Sequence, residues 1–262
     1  ERCKSLKVPL IVESIDVLSF AEKEKRSIEE SARMLRYRVF HKLRDLHSAQ
    51  VIAVGHNADD QVEEFFLRAI RGSSRKSLSG MELQHGTVIR PLLHIHKQEL
   101  IEYLEKNTIP WCLDSSNLER TYLRNRVRLD LLPLLKKDFN ASIGKTILQN
   151  MDILREDERY LEANTVEAYQ KCTIFDIESG EGAKGGQLNI RSELFVQYHP
   201  AIQRRIFEKC CWKMKSKASY EQICSLMELL DTGITGSEIH LSAGLRAEKN
   251  AGNIIFSRPL AP

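Results

Sequence analysis

The chain has 262 residues, 42% of them hydrophobic and 29% charged, with a formal net charge of +3. That composition excludes a disordered or collagen-like chain, and no stretch approaches the ~20 apolar residues that a membrane-spanning helix needs. The six cysteines (Cys3, Cys112, Cys172, Cys210, Cys211 and Cys224) show no CxxC spacing, which argues against a zinc or disulfide scaffold and for a reducing, cytoplasmic setting.

The charged start, ERCKSLKVPL, lacks a signal-peptide core. VPLIVES (8–14) is short, β-branched and opened by a proline, and predicts a buried strand. Ile28, Ala32, Leu35, Val39, Leu43 and Leu46 recur at spacings of three and four, so an amphipathic helix is expected over 27–47. Ser27 and Glu30 have the spacing of a capping box at its start. VIAVG (51–55) predicts a second strand. The following GHNADDQVEEFFLRAIRGS predicts a helix capped by Asn57 with Asp60 at N3, buried through Val62, Phe65, Phe66 and Ile70.

TVIRPLL (87–93) predicts a third strand, HKQELIEYLEKN (96–107) a third helix and IPWCLD (109–114) a further extended segment. Strands and helices in this alternation imply a parallel sheet with helical crossovers, whose ligands bind beyond the carboxyl ends of the strands. From about residue 141 the pattern changes to one long helix, then strands around CTIFDI and QLNI separated by ESGEGAKGG. Helices over 201–215 and 220–230 follow, then a closing hairpin with its loop at KNAGN. The expected organisation is an α/β domain over 1–140 and a mostly helical α+β domain over 141–262.

Three stretches could carry chemistry. Capping accounts for Asn57, Asp59 and part of Asp60, but less well for His56, and not for Glu63, one turn after Asp60 on the same face. His56, Asp60 and Glu63 could line an acidic pocket edge that holds a metal or an amine. Arg33 and Arg36, offset from the apolar stripe, are either surface charge or phosphate ligands. Asp114, Ser115, Ser116 and Asn117 form a turn-rich loop, after which Tyr122, Arg124, Asn125 and Arg128 crowd a helix start. An aromatic beside spaced arginines suits a nucleic-acid backbone and an unstacked base; a capped helix with exposed basic residues is the plainer alternative. Other basic clusters (RAIRGSSRK, and RR with KMKSK further on) are each explained as solvated faces, although together they suit a polyanion held at several points.

In order, ARMLRY, GHNADDQVEEFFLRAIRGS, LSGM, IRPLL and W…DSSN…Y.RN..R resemble the tRNA(Ile)-lysidine synthetases of the pyrophosphatase-loop ATP-dependent family, over roughly residues 8–135. The resemblance implies a Rossmann-like adenine nucleotide alpha-hydrolase fold. It also implies ATP with Mg2+, free lysine and isoleucine tRNA as reactants, and a soluble enzyme for which a homodimer stays open. ATP adenylates the C2 oxygen of the wobble cytidine and the lysine amine then displaces AMP. Carried across, His56 and Asp60 are catalytic, Arg33 and His56 meet ATP, Asp60 and Glu63 receive lysine, and Arg124, Asn125 and Arg128 face tRNA. No protein-held metal site is expected.

The Ser-Gly-Gly-x-Asp-Ser loop of that family does not occur in these residues, so its first strands are expected to lie upstream of a truncated domain. A chain that is part of a longer protein is favoured over one completed by a second polypeptide, or a homologue that only binds tRNA. A thiolating tRNA enzyme of the same family is the nearest rival. Cys112 is the one cysteine near the motifs, and its expected place is inside an apolar strand.

Overall fold

The computed structural model describes residues 2–72, 75–114, 119–176 and 186–258. They form two compact units, 1–152 and 153–262, dividing inside a long helix rather than ahead of it near 140.

The first unit contains α1 (Arg2–Ser5), α2 (Val17–Glu24), α3 (Ile28–Leu46), β1 (Ile52–Ala53), α4 (Ala58–Ile70), α5 (Arg75–Leu78), β2 (Gln84–His85), β3 (Val88–Ile89) and α6 (Lys97–Lys106). It continues with α7 (Leu123–Arg126), a π-helical turn (Val127–Leu131), α8 (Leu132–Asp138) and the start of α9 (Ile143–Cys172). β1 and β3 pair in parallel, Ile52 with Val88 and Ala53 with Ile89. This is the arrangement that the strand–helix alternation implies. β2 adds an antiparallel strand that sequence reading does not find, giving the order β1-β3-β2.

Local chemistry sets most helix starts. Ser27 accepts the Glu30 N–H at 3.2 Å, but the Glu30 carboxylate turns to Arg26, so the expected box is half made. At α4 the box is complete: Asn57 Oδ1 accepts the Asp60 N–H at 3.0 Å, and Asp60 Oδ2 accepts the Asn57 N–H at 2.9 Å. α4 buries Val62 and Leu67 against Val127, Leu132, Ile147 and Met151, with Phe65 and Phe66 packed partly buried around them. Ile70, expected in that core, is 57% exposed, because Leu67 takes the inward position in the last turn.

Two expected strands do not form. Residues 8–14 have no regular structure, and Val12 is 79% exposed. A strand is stable only when a neighbour pairs its N–H and C=O groups, and no described segment runs alongside this one. Residues 109–114 are likewise irregular, and Cys112 is exposed rather than inside a strand. Ser115, Ser116 and Asn117 lie outside the described residues.

LSGM is explained by packing. The Gln61 side chain is buried and clamps Met81, accepting its N–H at 2.7 Å and donating to its C=O at 3.4 Å. The clamp needs the chain to pass close by. Gly80 has φ +86°, and a Cβ there would lie 2.1 Å from the Met151 methyl and 2.7 Å from Gln61 Oε1.

The second unit contains the rest of α9, then β4 (Thr173–Asp176), β5 (Gln187–Arg191), α10 (Ser192–Phe195), α11 (Pro200–Lys213), α12 (Tyr220–Thr232), β6 (Glu238–His240), β7 (Arg246–Asn250) and β8 (Asn253–Ser257). The strands form an antiparallel sheet, β4-β5-β8-β7-β6. β7 and β8 join through Ala251 and Gly252, both at positive φ, the backbone of a tight two-residue hairpin turn. The core stacks Phe195 on Phe207 (4.8 Å) and Phe207 on Phe256 (6.2 Å). Arg205, part of a basic cluster in the sequence, is directed to Glu158 with an Nη1–Oε1 distance of 2.8 Å, so this residue is not a solvated one. ESGEGAKGG falls almost wholly outside the described residues.

Gly80→Ala is expected to lower unfolding stability by roughly 1–3 kcal/mol, since it combines overpacking with an L residue at positive φ. Urea denaturation of the two chains measures this. An unchanged midpoint would refute the close-packing role of LSGM.

Candidate active site

The polar residues of GHNADD emerge where β1 ends. β1 stops at Ala53, and Asn57 starts α4, so His56 is held in the short link between strand and helix. Asp60 and Glu63 stand one turn apart on α4, facing the segment of α7 and the π-helical turn that carries Arg124 and Arg128.

The four charges are joined. Arg124 Nη2 donates to Asp60 Oδ1 at 2.7 Å and Arg124 Nε to Glu63 Oε2 at 2.8 Å. Arg128 Nε donates to Glu63 Oε1 at 2.6 Å and its Nη2 to Glu63 Oε2 at 2.9 Å, with Asp60 Oδ1 3.7 Å away. Glu63 is 2% exposed. Fork-shaped donors on both Glu63 oxygens satisfy a carboxylate that burial would otherwise penalise. Burial opposes the Arg124 charge most strongly; the Glu63 hydrogen bond and the charges of Glu63 and Asp60 together outweigh it and raise its pKa above the ordinary arginine value. Asn125 is buried and donates to the Glu119 carbonyl at 2.7 Å, anchoring the chain that leads into α7.

His56 is half-buried, and its Nδ1 is buried with no hydrogen-bond partner among the described residues. Burial lowers its pKa most; the Asp60 charge works against this, while Arg90, Arg124 and Arg33 push the same way as burial. The imidazole is therefore neutral near pH 7, with a nitrogen available to a ligand. It lines a cleft of about 550 Å3 together with Arg33, Arg36, Tyr37, Phe40 and Arg124. The Arg33 guanidinium lies 5.7 Å from the Tyr37 ring centre. The cleft combines three arginines with one carboxylate, Glu29, aromatic faces and one neutral imidazole, a net cationic lining that suits a phosphorylated, planar ligand.

A model of the PP-loop domain matches residues 1–135. The chain belongs to the PP-loop domain family. Among curated relatives, it is 34% identical over 259 residues to the tRNA(Ile)-lysidine synthase of Clostridioides difficile strain 630, covering 97% of this chain and 54% of the relative. It is 31% identical over 255 residues to the protein of the same name from Clostridium acetobutylicum, covering 96% of this chain and 53% of the relative. A Listeria innocua protein named bifunctional TilS/HprT is 38% identical over 164 residues, covering 61% of this chain and 25% of that protein. The chain thus spans about half the length of the first two of these relatives.

In this PP-loop chain the structure brings together His56, Asp60, Glu63, Arg124 and Arg128, and sets Arg33 across the cleft. Sequence reading assigns Arg124 and Arg128 outward; here both are directed to carboxylates, with about a quarter of each side chain exposed. It also leaves Asp59 to local capping. Asp59 Oδ2 instead accepts the Lys97 N–H at 2.7 Å, tying the start of α4 to the start of α6. Arg90 goes unnoticed in sequence, although an arginine between an apolar strand and a proline is a signal in itself.

Arg124→Ala with Arg128→Ala is expected to destabilise the first unit by about 3–5 kcal/mol by leaving Glu63 buried and unpaired. The double variant with Glu63→Gln should recover part of that loss, as thermal unfolding would show. His56 is expected to titrate below 6.5 by NMR. Because the unfolded chain then binds the proton more readily, this residue's contribution should make stability fall as pH drops from 6.5 toward the folded-state pKa. His56→Gln should remove that component, and an identical pH profile would contradict it.

Proposed function

We propose that the protein containing this chain ligates lysine to the wobble cytidine of an isoleucine tRNA with a CAU anticodon, using ATP. The observation that carries the reading is the joining of His56, Asp60, Glu63 and Arg124 at the end of β1, beside a cationic and aromatic cleft. The names of the relatives support it. In the first step the C2 oxygen of the base attacks the α-phosphorus of ATP, and pyrophosphate leaves. In the second the lysine amine attacks C2, and AMP leaves with the bonding pair while the amine gives up its proton.

Arg33 and the neutral His56 are assigned to the nucleotide: the guanidinium offsets phosphate charge, and the imidazole can hydrogen-bond a phosphoryl oxygen or take a proton. Asp60 is assigned to the lysine amine. Its side chain is 17% exposed against 3% for Glu63, so an incoming ammonium would reach Asp60 first, exchanging with Arg124. Glu63 then holds Arg124 and Arg128 in place while lysine enters. Asn125 fixes the segment that carries the two arginines, and their exposed quarter is the part assigned to tRNA. Among the described residues no group of three or more His, Cys, Asp or Glu converges, and Asp60 and Glu63 are both paired with arginines. No step is therefore routed through a metal held by these residues.

No helix is long and apolar enough to cross a membrane among the described residues. A cytoplasmic location and a homodimer are part of the proposal only.

The test is incorporation of labelled lysine into isoleucine tRNA by the longer protein that contains this chain, with ATP added or withheld. ATP-dependent incorporation is expected; label-free tRNA, or sulfur incorporation in its place, would overturn the reading. Asp60→Asn should raise the lysine concentration needed for half-maximal rate by about tenfold or more, as loss of a charged partner implies, while tRNA affinity stays the same. Equal loss of both would remove Asp60 from the lysine site.

A further inference from the structure

A second pocket, of about 540 Å3, lies beside the cleft, and the two share Arg33 and Tyr37. It is lined by Arg33, Tyr37 and His41 of α3 and by His85, Thr87 and Arg90 of the β2–β3 hairpin and its exit. Among the described residues no carboxylate lines it.

Arg90 is the feature that needs an explanation. It is 7% exposed, yet no ion pair reaches it among the described residues. Its Nη1 donates to the Glu82 carbonyl at 2.8 Å, and its Nε is buried without a partner. The Glu82 carboxylate turns away to His85 Nδ1, 3.4 Å off. A buried guanidinium is costly unless an anion compensates it, and elsewhere in this unit Arg124 and Arg128 are compensated. With Arg33, His41 and His85 around the same space, every titratable group lining it other than the Tyr37 phenol is a cation or can become one.

We infer that the pocket between α3 and the β2–β3 hairpin binds a phosphate group, with Arg90 as its buried ligand and Arg33 shared with the neighbouring cleft. Phosphate suits the guanidinium fork and the adjacent hydroxyl of Thr87, which already accepts a hydrogen bond from Arg44 at 2.9 Å. The group could belong to a nucleotide or to an RNA backbone, a choice of sources that rests on the function proposed above.

The probe is inorganic phosphate, titrated into the full chain at constant ionic strength with chloride as the control. Saturable binding is expected, weakened about tenfold by Arg90→Gln, as loss of one charge-assisted hydrogen bond implies. If that variant fails to fold, His85→Glu places a negative charge on a side chain that is 81% exposed, and it should weaken phosphate binding without touching the core. Displacement of phosphate by ATP would assign the site to the nucleotide, and displacement by a short single-stranded RNA would assign it to the backbone. Binding no stronger than chloride, or unaltered in both variants, would overturn the inference. Loss of lysine incorporation with phosphate binding intact would instead count against the proposed function alone.

Discussion

The first unit depends on one buried carboxylate. Glu63 is the buried charge on a helix whose other buried residues are Ala58, Gln61, Val62 and Leu67, and left alone it would be costly enough to prevent that packing. Arg124 and Arg128 make it tolerable, and in doing so they fix the chain after residue 119 against α4. The same bonds fix the position of Asp60, through Arg124, and so the edge of the cleft. Folding and site geometry therefore share one set of contacts. A weakened pair should disturb both, which separates this arrangement from a surface salt bridge of little consequence.

The cleft and the ion cluster divide the chemistry between them. The cluster pairs its carboxylates with arginines, whereas the cleft beside it carries Arg33, Arg36, Glu29 and a histidine that is neutral because it is partly buried among cations. A neutral imidazole next to arginines can meet an anionic group without adding a further charge to the site. The cations attract the ligand and the imidazole orients it.

Much of this was legible from residues. Caps act over three positions, so Asn57 with Asp60 could be read directly, and Ser219 with Gln222 forms the same local box. The strand–helix alternation carried the parallel pairing of β1 with β3, and the spacing of Asp60 and Glu63 placed them on one face. Pairing across the chain was not legible. Arg124 and Arg128 meet their acids across 61 to 65 positions, and nothing in RNRVR says whether its charges turn inward or outward. Residues 8–14 have the composition of a strand, but a strand depends on its neighbour as much as on its own sequence. The two-residue β2 is too short to leave a periodic signal.

The π-helical turn at Val127–Leu131 has a consequence for chain length. Leu132 donates its N–H to the Val127 carbonyl, five residues back, immediately before Pro133, which has no N–H to give. The wider turn absorbs one residue more than a regular turn would, and each helical residue turns the chain by about 100°. It thereby lets Arg124 and Arg128 face the α4 carboxylates while Leu132 faces the core formed with Val62 and Met151. The segment works as a gauge. Val127 and Arg128 are tied to the core and to Glu63, and loss of a single residue would swing α8 out of phase with the arginines and force a choice between the core and the site.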